Sequence, residues 1–492
     1  MRVIVVGAGL AGLSAADNLA KAGVDVVVIE ASSRVGGRVR TVHDRFMGAQ
    51  YAESGAEWVD SVHLRMLGLM NRFGVSTIGA GTTWSTIRRW LFWDGRLFPA
   101  ERLSEIDPRL TERIDSYDAA IDSLADGFAA VAAGASNPLA HPDAERLDAL
   151  SLADVMRGNA SGVSGVPHSE PLDGPSALLA RRNSQGEFAD EPSNVSLLFV
   201  AQQRAQEREL ARCAGVDVLA YRVDGGLSQI AQRWAAQMST SPQSRVEIRL
   251  SHQLLAVDQD ADGIHIHVGV RGGTHGGVID LDADHVVLAT SLVPLRSVEF
   301  ATPLPDELRA AVHGLSYGTV TKTAVQFERR AWEAGYGTTD SVSQRVYDCA
   351  ADQARGHAGN THPRNIHPGN IHPGILMSYC GGDGGRRLAG LTESQRIAEI
   401  DADIRRIHGL GADDAAGGVQ TTGAFSRAWS AEPRYGGSYA VYSPGQVTAF
   451  WNVLRRPWGR VHLAGEHVAT CTGYMEGAVE SGETVARRIL GD

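Results

Sequence analysis

Lysine is nearly absent. Of 46 basic residues in a chain of 492, only Lys21 and Lys322 are lysines, and the other 44 are arginines. A chain that uses arginine for generic positive charge marks its lysines as places where a longer, planar guanidinium does not serve. Cysteine is also scarce: Cys213, Cys349, Cys380 and Cys471 are too few and too scattered for a disulfide framework or a zinc site. No apolar run reaches the roughly 18 residues of a membrane-spanning helix. Nor is there an excess of positive charge. The 46 basic and 57 acidic residues give a net charge of −11, which argues against a nucleic-acid partner held by phosphate neutralisation and mildly favours a cationic ligand. Met1–Val6 runs straight into a glycine loop, leaving no room for a signal peptide. The expectation is a soluble, cytoplasmic protein. Its 43% apolar and 21% charged residues are globular in character and exclude disordered or collagen-like chains. The length suits about three structural units or fewer, larger ones.

Glycine is plentiful, at 56 residues, and much of it falls in recognisable places. Residues 3–6 read as a buried parallel strand, Gly7-Ala8-Gly9-Leu10-Ala11-Gly12 as a loop opening a helix, and Val24–Ile29 as a second strand ending at Glu30. Helices are expected near 62–73, within 100–160, and near 195–213, 227–238, 393–408 and 476–490. Short alternating strands are expected over 246–290 and a strand over 317–328. Residues 158–176 and 182–194 are rich in Gly, Ser, Pro and Asn and read as surface loops. Asn365-Ile366-His367-Pro368-Gly369 recurs at once as Asn370–Gly374. The histidines at 357, 362, 367 and 372 lie five apart, but Pro-Gly turns would aim them in unrelated directions. A mobile loop insertion, and no metal site, is expected there.

The first loop carries chemistry. Gly-x-Gly-x-x-Gly between a strand and a helix, with an acid closing the next strand, is the dinucleotide-binding pattern. Gly7 makes the tight turn, Gly9 admits the pyrophosphate to the backbone, and Gly12 allows close packing of helix and strand. The helix start offers free N–H groups and partial positive charge to the phosphates, and Glu30 suits ribose hydroxyls.

Further motifs favour flavin over nicotinamide. Glu30-Ala31-Ser32-Ser33-Arg34-Val35-Gly36-Gly37-Arg38 resembles the second glycine signature of FAD-dependent amine oxidases. Glu53-Ser54-Gly55-Ala56-Glu57-Trp58-Val59 resembles their segment passing the flavin ring. Near the C-terminus, Arg434-Tyr435-Gly436-Gly437-Ser438-Tyr439, Ala464-Gly465-Glu466-His467 and Thr472-Gly473-Tyr474-Met475-Glu476-Gly477-Ala478 add the most specific matches. Nearly the whole chain thus resembles the flavin monoamine oxidase and polyamine oxidase family.

The resemblance implies non-covalent FAD, because the cysteine that links flavin in monoamine oxidases is Ser438 here. It also implies that Arg38 reaches the diphosphate and that the backbone at Val246 meets the adenine. The other positions implied at the cofactor are Ala11, Ala31, Gly36, Gly37, Gly55, Ala56, Glu57, Trp58, Thr290, Gly465, Glu466, Met475 and Ala478. The helix opening at Met475 would aim its positive end at the flavin. Lys322 would hold a water against flavin N5, and alternation puts it on one strand face with Val320 and Ala324. Tyr439 and Tyr474 would flank the amine before the flavin. Phe199, Gln202 and Trp332 are candidates for the substrate half. Ser32 departs from the basic residue common near the ribose, and the apolar tail that anchors mitochondrial members is not seen after Ala486–Leu490.

These readings combine into an α/β flavoprotein. A Rossmann-like FAD-binding domain is expected from the discontinuous segments 1–79, 215–298 and 423–492. An α+β substrate domain with a mixed sheet is expected from 80–214, which is helical, and 299–422. The expected reaction oxidises a primary or secondary amine to an imine, which is hydrolysed, with O2 reduced to H2O2. Alternatives are an L-amino acid oxidase, which needs an arginine to clamp the carboxylate and for which Arg88, Arg89, Arg222 and Arg434 are available though none lies in a motif that marks that role, a cyclic-amine dehydrogenase with another electron acceptor, and a non-redox isomerase or binding module. A homodimer is also considered.

Overall fold

The computed structural model describes the chain apart from residues 83–88, 130–133, 161–169, 241–243, 272–276, 354–371, 413–416 and 492. The histidines at 357, 362 and 367, most of the repeat and Arg88 therefore lie outside the described residues.

The expected α/β class is what the structure shows. A five-stranded sheet runs in the order Val246–Leu250, Asp25–Glu30, Arg2–Val6, His285–Leu288, Val461–Leu463, and every neighbouring pair is parallel. Its central strands are buried on both faces, which is why they read as continuous valine and isoleucine rather than an alternating pattern. The helix Leu10–Lys21 lies against the helix Met475–Leu490. A Cβ on Gly482 would come within 2.4 Å of the Ala11 carbonyl, and Ser14 donates to the Val479 carbonyl across the contact.

The second sheet has seven strands in the order Thr421–Ala428, Thr321–Phe327, Gly374–Cys380, Arg345–Asp348, Tyr336–Thr339, Arg89–Trp93, Arg96–Pro99. It is mixed, because the Tyr336 and Arg89 strands pair in parallel and the other neighbours antiparallel. Period-two alternation divides its faces. Val325, Val346 and Leu376 pack with Ile400, Ile404 and Ile407 of the helix Glu393–His408. Lys322, Tyr347 and Tyr379 point the other way, into a cavity between the two sheets. The Lys322 strand is interior, paired on both sides and buried at every residue.

One loop expectation fails. Gly174–Glu187 is a helix, capped at Asp173 by a reciprocal bond with Ser176 and opened by Pro175. Its polar residues suggested a solvated loop, but Arg182, Ser184 and Gln185 are buried and satisfied. Arg182 donates to the Thr339 carbonyl (2.9 Å) and to Gln185 (2.7 Å), Ser184 to the Asp190 carbonyl (3.0 Å), and Gln185 to Glu191 (2.7 Å). The predicted strand at 317–328 is also two pieces: Ser316–Tyr317 pairs with Ala440–Val441, and Thr321–Phe327 joins the large sheet.

Candidate active site

A cavity of about 1540 Å³ runs from the first glycine loop to the face of the seven-stranded sheet. At one end two glycine turns touch. Gly7 has φ +106°, and a Cβ there would meet the Ala289 carbonyl at 2.7 Å, so only glycine fits. The Gly36 amide donates to the Ala8 carbonyl at 2.8 Å, and a Cβ on Gly37 would lie 3.4 Å from the Gly9 Cα. Gly9 faces open space, with nothing within 4 Å of a Cβ position. Glu30 is held by the amides of Ala8 and Ser32, both at 2.8 Å, and each of its carboxylate oxygens keeps capacity for a further bond. Thr290 Oγ1 lines the same cavity, buried and without a protein partner. Open glycine backbone, a helix start, an acid and an orphaned hydroxyl fit a dinucleotide.

Farther along, Arg38 donates to Glu466 and to the Ser438 carbonyl, both at 2.8 Å. Glu466 also accepts from the amides of Ala440 (3.2 Å) and Gly473 (3.0 Å), which ties three C-terminal segments to the second glycine turn. The helix Met475–Leu490 begins beside the cavity, where Tyr474 supplies no side-chain cap and Met475 and Ala478 form wall. Its uncapped start carries partial positive charge. Ser438 donates to the Gly318 carbonyl, and Cys471, buried with its thiol pKa pushed well up by burial, is not on the wall.

At the sheet end Lys322 is buried. Its ammonium donates to Glu57 Oε2 at 2.8 Å, the Gly55 carbonyl at 2.9 Å and the Glu53 carbonyl at 3.2 Å. An ammonium has three N–H bonds, and all three find protein acceptors here. Glu57 is shared further. Tyr347 donates to it at 2.6 Å, and Arg222 Nε lies 3.2 Å from its other oxygen. Burial alone would raise the Glu57 carboxyl; the Lys322 and Arg222 cations outweigh that and hold it below the usual range. The Arg222 guanidinium also lies over the Trp58 ring, 4.3 Å from its centroid.

Tyr439 and Tyr474 line the same cavity. The Tyr439 hydroxyl lies 2.9 Å from that of Tyr379 and donates to the Glu187 carbonyl at 3.1 Å. Tyr474 is 41% exposed, with its ring 5.4 Å from that of His63. Desolvation lowers His63 to about 4, so it is neutral near pH 7. Asp60, also on the wall, is raised to about 7 by burial first and Glu207 second, and its Oδ1 has no partner.

Of the residues expected at the cofactor, Gly7, Gly9, Ala11, Glu30, Ala31, Gly36, Gly37, Arg38, Gly55, Ala56, Glu57, Trp58, Thr290, Gly465, Glu466, Met475 and Ala478 all lie on the cavity wall. Gly12 does not, but a Cβ there would strike the Gly7 carbonyl at 1.9 Å, so its place is in packing. Val246 is a correction. It is buried at the start of its strand in the hydrophobic core, and His252–Leu255 form the wall at that end instead. Phe199 reaches the cavity. Gln202 is instead buried, bonded to the carbonyls of Ala135 and Thr470, and Trp332 packs on Phe327 and bonds Asp348. The sequence reading missed Tyr379, Tyr336, Tyr347, Arg345 and Asp60.

Comparison with known proteins follows the same lines. A family model described as flavin containing amine oxidoreductase matches residues 10–490. The chain is 24% identical to an L-amino acid dehydrogenase of Synechocystis sp., covering 99% of this chain and 94% of that protein. It is 26% identical to a flavin-containing amine oxidase of Oncorhynchus mykiss, covering 99% and 85%. Its fold matches that of cyclohexylamine oxidase from Brevibacterium oxydans with a TM-score of 0.76, at 22% identity, over 100% of this chain and 98% of that one.

Proposed function

The chain belongs to the flavin-containing amine oxidoreductase family, and from that membership we propose that it uses FAD to oxidise the C–N bond of a primary or secondary amine. The substrate loses two electrons and two protons from its HC–NH unit. The resulting imine takes up water to give an aldehyde or ketone and the released amine or ammonia, and O2 accepts the electrons to give H2O2. The observation that carries this reading is the single cavity shared by the glycine loop, Lys322 and the two tyrosines. Bound flavin supplies the two-electron acceptor, and the protein supplies position and field.

In this reading Gly9, Glu30 and Arg38 hold the dinucleotide, and the start of the Met475 helix faces the ring system. Tyr439 and Tyr474 confine the amine and exclude bulk water, so that its lone pair and α-C–H meet the acceptor at near-attack distance. Lys322 presents a water on the cofactor side. Its contact with the Glu53 carbonyl, the longest of its three, is the one a water would replace.

The proposed cofactor half comprises residues 1–79, 215–298 and 423–492, with the substrate half between them. No described helix is long and apolar enough to cross a membrane. The reading also holds that the enzyme is cytoplasmic and has no nucleic-acid partner; sedimentation of the holoprotein decides between a monomer and the homodimer considered from the sequence. The test of function is turnover in air with an amine panel. One H2O2 per carbonyl product is expected, and carbonyl formation without peroxide would assign the electrons to another acceptor.

A further inference from the structure

Two buried cations meet on one acid at Glu57. Its Oε2 accepts from Lys322 at 2.8 Å and from Tyr347 at 2.6 Å, and Arg222 Nε lies 3.2 Å from Oε1. The Lys322 and Glu57 side chains are each 4% exposed and that of Arg222 13%, so salt screens the group little. The three come from separate parts of the chain. Glu57 lies just before the strand Val59–Asp60, Arg222 lies in the strand Ala220–Val223 that pairs with it, and Lys322 comes from the large sheet. Arg222 is fixed further by the Asp348 carbonyl, 3.1 Å from Nη1, and by the Trp58 ring beneath its guanidinium.

Two cations and one carboxylate leave a single positive charge. Glu57 stays ionised, because Lys322 and Arg222 outweigh the effect of its burial. The neighbouring acids leave that balance in place. Asp348 is paired with Arg330 at 2.9 Å, and the partly exposed Asp352 acts on Arg222 less than Glu57 does. Glu53, raised by burial to about 7, keeps most of its proton at pH 6. Tyr347 and Cys349, both pushed up by burial, are neutral. Glu57, Trp58, Lys322 and Tyr347 line the cavity beside Gly55 and Ala56. Arg38, elsewhere on that wall, is matched one for one by Glu466.

A flavin ring that takes up two electrons and one proton gains one unit of negative charge. A fixed positive charge beside it therefore favours reduction. We propose that Glu57 and Arg222 are charge-setting residues: together they hold the Lys322 group at one net positive charge and so fix the reduction potential of the flavin at this wall. The inference rests on the amine-oxidation reading, which puts the flavin ring at Lys322, and it deepens that reading. The competing role is mechanical, with Glu57 and Arg222 serving only to keep the Lys322 head in place. The two roles differ in sign. Glu57→Gln leaves a charge of +2 and Arg222→Gln a charge of zero, so a charge-setting pair moves the potential in opposite directions. A mechanical pair moves it the same way or not at all.

The test is the flavin reduction potential of the holoprotein at pH 6, equilibrated without oxygen against reference dyes. Sulfite affinity of the oxidised flavin is measured beside it, since the adduct also leaves negative charge on the ring. A unit charge at about 10 Å and an effective dielectric of about 20 shifts such an equilibrium roughly tenfold. For a two-electron couple that is about 30 mV. Glu57→Gln should raise the potential by about this amount and bind sulfite about 10-fold more tightly. Arg222→Gln should lower it and bind sulfite about 10-fold more weakly. The double variant restores one positive charge and should return to the wild-type potential. Tyr347→Phe removes a hydrogen bond but no charge and should leave both readings near wild type. Should Glu57→Gln fail to fold, Arg222→Gln and the double variant decide. Equal potentials across the series, shifts of one sign in both single variants, or a double variant that does not return overturn the inference while amine oxidation stands. If no amine reduces the flavin, the amine reading fails, and the dye titration, which needs no substrate, still decides the charge-setting role.

Discussion

Lys322 and Glu57 form an ion pair at 2.8 Å with both side chains only 4% exposed. Glu57 is also 3.2 Å from Arg222, so one carboxylate answers two buried cations. Removing one partner of a buried pair leaves an uncompensated charge, at a cost of about 3–5 kcal/mol. Glu57→Gln should therefore destabilise the holoprotein more than Lys322→Met, because it strands two cations and the latter leaves Glu57 paired with Arg222. In the double variant the losses should add to less than their sum, as urea denaturation measures. Additive losses would mean the pair has no energetic coupling.

Lys322→Met should keep its FAD and slow flavin reduction or reoxidation, since the ammonium bonds Glu53, Gly55 and Glu57 and makes no contact with Gly9, Glu30 or Arg38. Lys322→Arg should rescue poorly, because three acceptors converge on one compact head group. Stopped-flow traces of both variants check this, and wild-type rates would remove Lys322 from the chemistry.

Cofactor attachment is decided at Ser438, whose hydroxyl is held by the Gly318 carbonyl at 2.9 Å. A hydroxyl there offers no thiolate to join the flavin. Acid precipitation should leave the yellow colour in the supernatant; colour in the pellet would point to Cys471.

Glu53 links the site to pH. Burial raises its carboxyl to about 7 from 4.5, the Leu227 N–H pulling the other way and Glu57 adding to the rise. The folded protein therefore keeps a proton that the unfolded chain releases between these values. The stabilisation is complete below about pH 4.5 and is lost as pH rises through 7. The shift corresponds to something on the order of 3 kcal/mol. Thermal melts at pH 5 and pH 8 should show the wild type losing stability relative to Glu53→Gln, and parallel curves would contradict the buried acid.

Tyr474→Ala should lower the limiting rate of flavin reduction by roughly one to three orders of magnitude, from lost orientation. FAD content should hold. Tyr439→Phe keeps the ring but loses the contacts to Tyr379 and the Glu187 carbonyl, and its effect should be much milder. Rates measured with the best substrate decide; no change in Tyr474→Ala would make that ring a packing element.

What the sequence made legible was local. The Gly7–Gly12 loop, the strand ending at Glu30 and the helix after Tyr474 each declare themselves within about fifteen residues, through glycine spacing and apolar runs. Val246 was misread because it opens its strand beside Val26, whereas the cavity lies past the strand's far end, where Leu250 pairs with Glu30 and His252–Leu255 form the wall. Arg345 and Tyr379 were invisible for a different reason. Their meeting with Lys322 depends on the register of three strands distant in sequence, which no local pattern encodes. The Gly174–Glu187 helix was hidden by polar residues whose partners, such as Thr339 and Glu191, lie outside it.

The central claim is that an amine gives its electrons directly to FAD in the cavity that Lys322, Tyr439 and Tyr474 share. Anaerobic mixing of the holoprotein with the amine and amino-acid panel measures this most directly. The account predicts bleaching of the oxidised flavin band at a rate that saturates with one substrate class, and return of the band when O2 is admitted. A band unchanged by every member of the panel would contradict it.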